Sequence, residues 1–156
     1  MMNLIIRKAK PDEIRIIQDL NNALFKSDAE RDQFLNHNWP YEDGKNYFKK
    51  HITDPNCLCL VAEFEGKIVG YLAGELLGLE SWRPVKRTEL QNMFVKEKYR
   101  NQGIGANLVE EFLKWSKYKG AKRALVVAYS TNAGAINFYK KTGFSSESLS
   151  LEANTN

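Results

Sequence analysis

Apolar residues recur at helical spacing in several stretches of the chain. After Pro11, for example, Ile14, Ile17 and Leu20 lie three residues apart, which is the spacing of a helix face packed on a sheet. Glycines at positions 120 and 143 follow the last two stretches and are typical of helix C-termini. We therefore predict four helices: from Pro11 onward, over about residues 43–52, over 104–119 and over about 133–142.

Continuous or alternating apolar runs predict the strands. Cys57–Phe64 and Lys67–Leu76 flank Glu65-Gly66, which predicts a hairpin. The order of elements predicts an α/β protein with a mixed sheet, because the early meander is antiparallel and a later strand-helix-strand unit favours a parallel crossover. Between the first two helices, residues 28–42 are expected to form a loop or short helix. The other predicted strands cover residues 3–7, Arg87–Val95, 124–128 and 144–151.

Composition indicates one domain. With 156 residues, of which 43% are hydrophobic, the chain is long enough to bury about two-thirds of its unfolded surface around one core. No repeat or low-complexity linker divides it, so we predict a single domain over residues 1–156. Cys57 and Cys59 alternate within one predicted strand and share a face, where no disulfide is expected. They lack the ligand spacing of a zinc site, and we expect no metal.

Charge and the N-terminal residues narrow the range of partners. The net charge is +4 and is not concentrated in a lysine or arginine tract, so we expect no nucleic-acid partner. A polyphosphate ligand, or lysines that keep the surface soluble, would be enough to explain the excess of positive charge. The apolar run within Met1–Arg7 is too short for a signal peptide or a membrane span. We therefore expect no membrane partner and a cytoplasmic location.

The segment Arg100–Ala106 contains the most informative motif. Gly103 and Gly105 allow successive backbone N–H groups to converge at the start of a helix, where the helix dipole adds partial positive charge. This predicts a phosphate or pyrophosphate site beside Arg100, and the alternative is a helix start that merely needs small residues. No Gly-Lys-Ser/Thr sequence ends the motif, which excludes a Walker-type P-loop. Leu108, at the third glycine position of a dinucleotide-binding fingerprint, argues against that fold.

A second motif lies downstream, at Asn132–Phe144, where an Asn starts a helix that ends Phe-Tyr-x-x-x-Gly-Phe. Together with Arg100, Gly103 and Gly105, which match Gln/Arg-x-x-Gly-x-Gly/Ala, it makes the chain resemble the GNAT superfamily of acyl-CoA-dependent N-acetyltransferases. The resemblance covers about residues 86–145 and is closest to small-molecule enzymes of the polyamine and aminoglycoside type. It implies acetyl-CoA as cosubstrate and a GNAT-type α/β fold. In that fold a mixed, mostly antiparallel sheet of six to seven strands is flanked by about four helices.

The resemblance also implies where the cosubstrate lies. The pyrophosphate of CoA would lie on the backbone amides at the start of the 104–119 helix. The strand containing residues 93–95 would diverge from the next one at a bulge, and its free backbone groups would bind the pantetheine arm and polarise the thioester carbonyl. Asn132 would cap its helix, contact the cofactor arm or do both. The residues implied to bind acetyl-CoA are Met93, Phe94, Val95, Arg100, Asn101, Gln102, Gly103, Ile104, Gly105, Ala106, Asn132 and Tyr139.

Acetylation of an amine needs a base and an acid. A primary amine with a pKa of about 10 must lose a proton before it attacks, and Glu89, acting through water, is the candidate base. We expect Glu89 to share a strand face with Gln91 and Met93. Many relatives have an acid where this chain has Gln91, which is expected to position the amine or a water instead. Tyr139 matches the family's general acid. The alternatives are a surface acid for Glu89 and core packing for Tyr139.

The expected function is acetyl transfer to the amine of a small molecule by direct attack in a ternary complex. Neither cysteine has a partnered base for a covalent acetyl-enzyme. Because acids attract cationic amines and aromatic rings flank them, Trp39 and Glu30, with Gln91, are the predicted substrate-binding residues, although acidic loops are commonly just solvated. A protein or peptide acceptor, or a catalytically silent acyl-CoA-binding sensor domain, are the alternatives. Exposed edge strands allow a homodimer.

Overall fold

A sheet of five strands forms the centre of the part of the chain that the computed structural model describes, residues 3–156. The order of the strands across the sheet follows their order in the sequence. The first four strands are antiparallel to their neighbours, and the fifth is parallel to the fourth. The strands are β1 (Leu4–Lys8), β2 (Cys57–Phe64), β3 (Lys67–Leu76), β4 (Arg87–Val95) and β5 (Arg123–Val126). The predicted α/β fold with a mixed, mostly antiparallel sheet is confirmed.

Four α-helices in these residues match the predicted ones. They are α1 (Ile14–Asp28), α2 (Asp43–Thr53), α3 (Ile104–Tyr118) and α4 (Ala133–Lys141), with short 3₁₀ helices at Pro11–Glu13, Trp39–Tyr41 and Glu97–Tyr99. In this described part of the chain, no helix is long and apolar enough to cross a membrane. The prediction drawn from the N-terminal end rests partly on Met1 and Met2, which lie outside the described residues.

The helices cover both faces of the sheet. On one face, α1 and α2 bury Ile17, Leu20 and Phe48 against Val61 and Tyr71. On the other face, α3 packs its apolar stripe against the alternate positions of the same strands. Burial on both faces explains why β2 and β3 are buried over most of their lengths, and why they form continuous apolar runs in the sequence.

The hairpin between β2 and β3 turns at Glu65 and Gly66, which have φ angles of 50° and 78°. Positive φ at both central residues is the pattern of a type I′ turn, whose twist matches that of the flanking strands. The predicted hairpin is therefore confirmed, with the strand bounds that the sequence indicated.

The predicted last strand, over residues 144–151, is wrong. The described chain has neither helix nor strand from residue 144 onward, so the sheet has five strands and not six or seven. Leu149 and Leu151 are 74% and 84% exposed, so their alternation with serines has no sheet to pack against. β5 also ends earlier than predicted, at Val126, and Val127 beyond it is 77% exposed. β5 forms one edge of the sheet. The homodimer expected from exposed edges stays a prediction.

A bulge in β4 interrupts its pairing with β3. Ala73 lies opposite Asn92, whereas the next residue, Gly74, lies opposite Leu90. Gln91 is therefore the extra residue of the bulge, which adds one position to the alternation of side chains along β4.

The bulge decides which β4 side chains share a face. Glu89 and Gln91 lie on the face covered by α1 and α2, where Gln91 contacts side chains of α2. Met93 packs instead against the core that includes α3. The expectation that Glu89, Gln91 and Met93 share one face is wrong for Met93, because the simple period of two does not continue through a bulge.

Candidate active site

The turn before α3 leaves its backbone open to a ligand. Gly103, the N-cap of α3, has a φ of 84°, and no atom lies within 4 Å of the place where a Cβ would stand. Asn107 donates to the carbonyl of Gly103 at 3.0 Å, so the N–H groups of residues 104–106 have no partner within the helix. Asn101, with a φ of 61°, and Gln102 are exposed beside them. This geometry fits the oxygens of a pyrophosphate.

Arg100 ties this turn to the end of β4. Its Nε donates to the carbonyl of Val95 at 2.8 Å, and its guanidinium lies over the ring of Phe94 at 5.0 Å from the centroid. Behind the turn, a Cβ on Gly105 would lie 3.1 Å from a ring atom of Phe138, so α4 closes against the start of α3 there. The turn is held from both sides.

β4 and β5 separate at the level of the bulge. Their parallel pairing runs from Arg87, opposite Arg123, to Leu90, opposite Val126. β4 continues to Val95, but within residues 3–156 no strand pairs with that edge. Backbone N–H and C=O groups along this edge are therefore outside the sheet ladder. An extended ligand pairs with a free strand edge in the way that an added strand does.

The two predicted site residues of the second motif, Asn132 and Tyr139, lie at the N-cap of α4 and within α4. Asn132 is the N-cap, and its Oδ1 accepts from the backbone N–H three residues ahead at 3.1 Å, which confirms the predicted cap. Tyr139 packs edge-on against Phe138 and Phe144, with ring centroids 5.2 and 5.7 Å apart. Burial, together with the charge of Asp28, raises the pKa of Tyr139 to about 12. The phenol is therefore protonated at neutral pH.

Two carboxylates face each other across β3 and β4, since Glu75 is the register partner of Glu89. Burial, reinforced by the charge of Glu75 and opposed by Arg87, raises the pKa of Glu89. Burial also acts to raise the pKa of Glu75, but hydrogen bonds from Lys50 at 3.0 Å and Gln91 at 2.8 Å outweigh it and lower that pKa. One carboxylate of the pair is held ionised and the other is a stronger base than usual, which suits proton abstraction.

Gln91 is held by side chains that the sequence analysis did not single out. Its Oε1 accepts from the Tyr47 hydroxyl at 2.6 Å and lies 2.7 Å from Nε2 of His51, while its Nε2 donates to Glu75. The rings of Tyr47 and His51 stack with centroids 3.9 Å apart. With these bonds made, Gln91 anchors Glu75, and its amide has one N–H left to donate in a hydrogen bond to a ligand. The spacing of Tyr47 and His51, four residues apart on one helix face, was the signal that could have found them.

The predicted acceptor residue Trp39 belongs to the same cluster. It is half-buried and stacks on Phe25, with ring centroids 5.6 Å apart. It also meets Tyr47 edge-on at 5.2 Å. Through Tyr47, Trp39 therefore lies one side chain away from Gln91.

Glu30 is not brought into that cluster. It is exposed in the turn after α1, where Asp28 forms an ion pair with Arg31 at 3.8 Å. Burial raises the pKa of Asp28, and Arg31 opposes this. The charge of Asp28 contributes to the raised pKa of Tyr139, and Asp32 of the same segment accepts from the Tyr129 hydroxyl at 3.3 Å.

Cys57 and Cys59 offer no nucleophile. Both are free and buried, as the alternation along β2 predicted. Burial raises the pKa of Cys57 to about 11 and that of Cys59 to about 12, so both thiols are protonated at neutral pH. Within residues 3–156, no group of three or more His, Cys, Asp or Glu side chains is arranged to hold a metal ion.

Residues 15–144, which include the turn before α3, the free edge of β4 and all of α4, match the sequence profile of the acetyltransferase (GNAT) family. The chain belongs to this family. The predicted enzyme class, an N-acetyltransferase, and the predicted cosubstrate, acetyl-CoA, are those of the GNAT family, and the open turn and strand edge fit that cosubstrate.

Two archaeal GNAT relatives are similar in sequence. An uncharacterized N-acetyltransferase of Archaeoglobus fulgidus is 33% identical over 97 residues, which cover 62% of this chain and 66% of that protein. An N-alpha-acetyltransferase of Sulfurisphaera tokodaii is 33% identical over 117 residues, which cover 70% of this chain and 67% of that protein. The chain thus spans about two-thirds of the length of these relatives.

Solved structures share the GNAT fold over almost the whole chain. A mutant of the BH1408 protein from Bacillus halodurans superposes with a TM-score of 0.87 at 22% identity, covering 97% of this chain and 99% of that one. The aminoglycoside N-acetyltransferase AAC(6')-Iy in complex with CoA superposes with a TM-score of 0.77 at 14% identity, covering 100% and 97%. At these identities the likeness establishes the fold, and the predicted GNAT-type fold is confirmed.

Proposed function

We propose that this GNAT chain transfers an acetyl group from acetyl-CoA to the amine of a small molecule, by direct attack within a ternary complex. The observation that carries the proposal is the separation of β4 from β5 beyond Leu90. The separation leaves a free edge of β4 between the open turn before α3 and the part of the strand that carries Glu89. The raised pKa values of both thiols support direct attack over a covalent acetyl-enzyme.

The turn and the strand edge hold the cosubstrate, whose thioester supplies the activated acetyl group. Backbone N–H groups of the turn bind the pyrophosphate, and the free edge of β4 binds the pantetheine arm. A backbone donor of β4 polarises the thioester carbonyl as negative charge develops on its oxygen. The proposed cosubstrate-binding residues are Met93, Phe94, Val95, Arg100, Asn101, Gln102, Gly103, Ile104, Gly105, Ala106, Asn132 and Tyr139.

Glu89 takes the proton from the acceptor ammonium, directly or through water. Its raised pKa brings its basicity closer to that of the amine, which favours the transfer. The neutral nitrogen then forms the C–N bond to the acetyl carbon while the C–S bond breaks. The second proton lost by that nitrogen balances the one that the departing thiolate takes up.

Tyr139 stabilises the departing thiolate. With a pKa of about 12 the phenol is a weaker acid than a thiol, so its contribution is a hydrogen bond to the developing negative charge on sulfur. Asp28 supports this role, because its charge helps to keep the phenol protonated.

A small polycationic amine is the acceptor that the charges favour. Asp28 ends α1, and Glu75, bonded to Lys50 of α2, is the register partner of Glu89. Several carboxylates suit an acceptor with several ammonium groups. Trp39 adds an aromatic face for an ammonium group, and the remaining amide N–H of Gln91 can donate to a hydroxyl or to a neutral amine nitrogen. Glu30, exposed in the turn after α1, has a weaker case than Asp28.

A protein N-terminus is the second candidate acceptor. It is favoured by the N-alpha-acetyltransferase of Sulfurisphaera tokodaii, which is 33% identical over 117 residues. A single α-amine carries one positive charge and needs only one base, so a peptide acceptor would make less use of the negative charge near Glu89.

Release of free thiol from acetyl-CoA tests the proposal across polyamines, aminoglycosides, amino acids and short peptides. We expect turnover with a small polycation and little with peptides. Tyr139→Phe is expected to lose most of kcat and to keep its affinity for acetyl-CoA in calorimetry. Turnover with peptides alone would replace the small-molecule acceptor by a protein N-terminus. Binding of acetyl-CoA without thiol release for any amine would favour a silent sensor domain.

A further inference from the structure

A chain of hydrogen bonds that is buried at its far end and part-buried elsewhere ends on Glu75, and all of its bonds run in the same direction. Because a carboxylate only accepts, Nε2 of Gln91 has to be the donor to Glu75, at 2.8 Å. The amide oxygen of Gln91 then faces α2, where it accepts from the Tyr47 hydroxyl at 2.6 Å. The charge of Glu75 therefore decides the orientation of the Gln91 amide.

The same orientation passes along the chain to α1. The Tyr47 oxygen accepts from Nδ2 of Asn92 at 2.9 Å, Oδ1 of Asn92 accepts from the Tyr71 hydroxyl at 2.6 Å, and Tyr71 accepts from Nδ2 of Asn21 at 2.8 Å. The chain ends at Oδ1 of Asn21, which is fully buried and has no donor within residues 3–156. An unpaired buried acceptor destabilises the fold. The chain nevertheless keeps the donor-to-acceptor direction that the Glu75 carboxylate imposes.

His51 lies beside this chain with both ring nitrogens against oxygen acceptors. Nδ1 is 2.8 Å from the backbone carbonyl of Tyr47, and Nε2 is 2.7 Å from Oε1 of Gln91. A neutral imidazole has a proton on one nitrogen only, which would leave the other nitrogen lone pair facing an oxygen lone pair. His51 is 2% exposed, so water does not relieve that repulsion. With the Gln91 amide in this orientation, both nitrogens therefore need a proton.

We propose that His51 is a positioning residue of the acetyl-transfer site: as an imidazolium it locks the Gln91 amide toward Glu75 and keeps the Glu75 carboxylate ionised opposite Glu89. The inference rests on the proposed function, in which Glu89 is the base. It adds a residue that touches neither substrate but sets the charge beside that base.

His51 and Glu75 share one proton through the Gln91 amide. If His51 gave up its Nε2 proton, the amide would turn its NH₂ group toward the ring and its oxygen toward Glu75. That carboxyl would then have to carry the proton, so the two states hold the same number of protons. Only the imidazolium state keeps a negative charge opposite Glu89.

Within residues 3–156, the ring nitrogens of His51 are bonded to no anion. Burial raises the pKa of the Tyr47 hydroxyl well above its usual range and those of the Cys57 and Cys59 thiols to about 11 and 12. Lys50 is a cation that pairs with Glu75 at 3.0 Å. Asp54, directly after α2, accepts from the backbone N–H of Asn56, and its charge acts on Lys50 and Cys57.

Nitrogen-15 NMR of the histidine rings, on the full-length protein at neutral pH, tests the protonation without any turnover. The chain has two histidines, and the exposed His37 is assigned by its loss in His37→Gln. We expect both His51 nitrogens to resonate together as an imidazolium. In Glu75→Gln we expect the two signals to move apart, as in a neutral ring. A neutral pattern in the unmutated protein, or an imidazolium unchanged by Glu75→Gln, would overturn the inference.

His51→Gln tests the positioning role, because it keeps a hydrogen-bond donor but removes the charge. We expect kcat to fall about tenfold, or about 1.4 kcal/mol in the barrier, with the acetyl-CoA dissociation constant unchanged. An unchanged kcat would overturn the positioning role. If the unmutated protein shows the imidazolium pattern but releases no thiol with any amine, the protonation stands and the proposed function falls.

Discussion

The two halves of the proposed GNAT site are built in different ways. In the cofactor half, the pyrophosphate turn at residues 100–106 offers main-chain N–H groups, and the parts of this turn are neighbours in the sequence. The acceptor half is a network of side chains, in which Glu75, Gln91 and His51 come from β3, β4 and α2. A main-chain site depends on backbone conformation, whereas a buried side-chain network depends on every partner being present. Substitutions should therefore separate the two halves.

Glu89→Gln is expected to have the largest effect and to confine it to the acceptor half. Without the proton acceptor, kcat falls about 100-fold or more, while the affinity for acetyl-CoA in calorimetry stays that of the unmutated protein. Glu110→Gln, on an exposed part of α3, is the matched control and should keep kcat unchanged. Equal kcat values in Glu89→Gln and the unmutated protein would show that the proton leaves by another route.

Gly103→Val sharpens the comparison from the cofactor half. A β-branched residue is strained at a φ of 84°, so the turn loses its shape and the KM for acetyl-CoA rises about tenfold or more, with the KM for the amine unchanged. Gly66→Val is the control, because its φ of 78° imposes the same strain in a hairpin turn away from the site. A similar rise in KM for both variants would mean that lost stability, and not the turn, is the cause.

Tyr47→Phe removes the hydroxyl that links Asn92 to Gln91. Because both partners are left short of one hydrogen bond, we expect the free energy of unfolding to fall by about 1–3 kcal/mol in urea titrations. Acetyl-CoA affinity should not change. Tyr118→Phe, on a side chain that is 84% exposed, should change neither quantity. Weaker acetyl-CoA binding in Tyr47→Phe would break the separation between the two halves.

The pH dependence of kcat gives the smallest expected effect. Glu89 acts only when ionised, and burial together with the charge of Glu75 raises its pKa, so activity falls with decreasing pH at a higher pH than an ordinary glutamate would give. Glu75→Gln removes one of these causes and lowers the pKa of Glu89. The acidic limb of the profile should then move to lower pH. A shift in the opposite direction would contradict the assigned charge of Glu75.

The elements that the sequence predicted well are those whose causes are local. The type I′ turn at Glu65-Gly66, the N-cap at Asn132 and the open turn at Gly103 each depend on a few consecutive residues. The helix spans were equally predictable, because apolar residues recur every three or four positions along each helix. The location of Tyr139 on α4 followed from the resemblance of the second motif to the GNAT family.

The elements that were missed depend on pairing between distant segments. The strand expected over residues 144–151 has the right alternation but no neighbour, and Leu149 and Leu151 remain exposed. The family resemblance implied a bulge in this strand, but the period of two does not indicate that it lies at Gln91 and moves Met93 to the opposite face. A strand exists only where a partner completes its hydrogen bonds, and that partner is not encoded in the strand itself.

By itself, the sequence determined the GNAT family, the helices, the hairpin and the main-chain turn for the cofactor, because each is set by residues within a few positions of one another. Only the tertiary structure decided that Tyr47 meets Gln91 across 44 positions and that Glu75 stands opposite Glu89. Proton affinities and hydrogen-bond directions depend on distances through space, so the sequence alone could not predict the chemistry of the acceptor half.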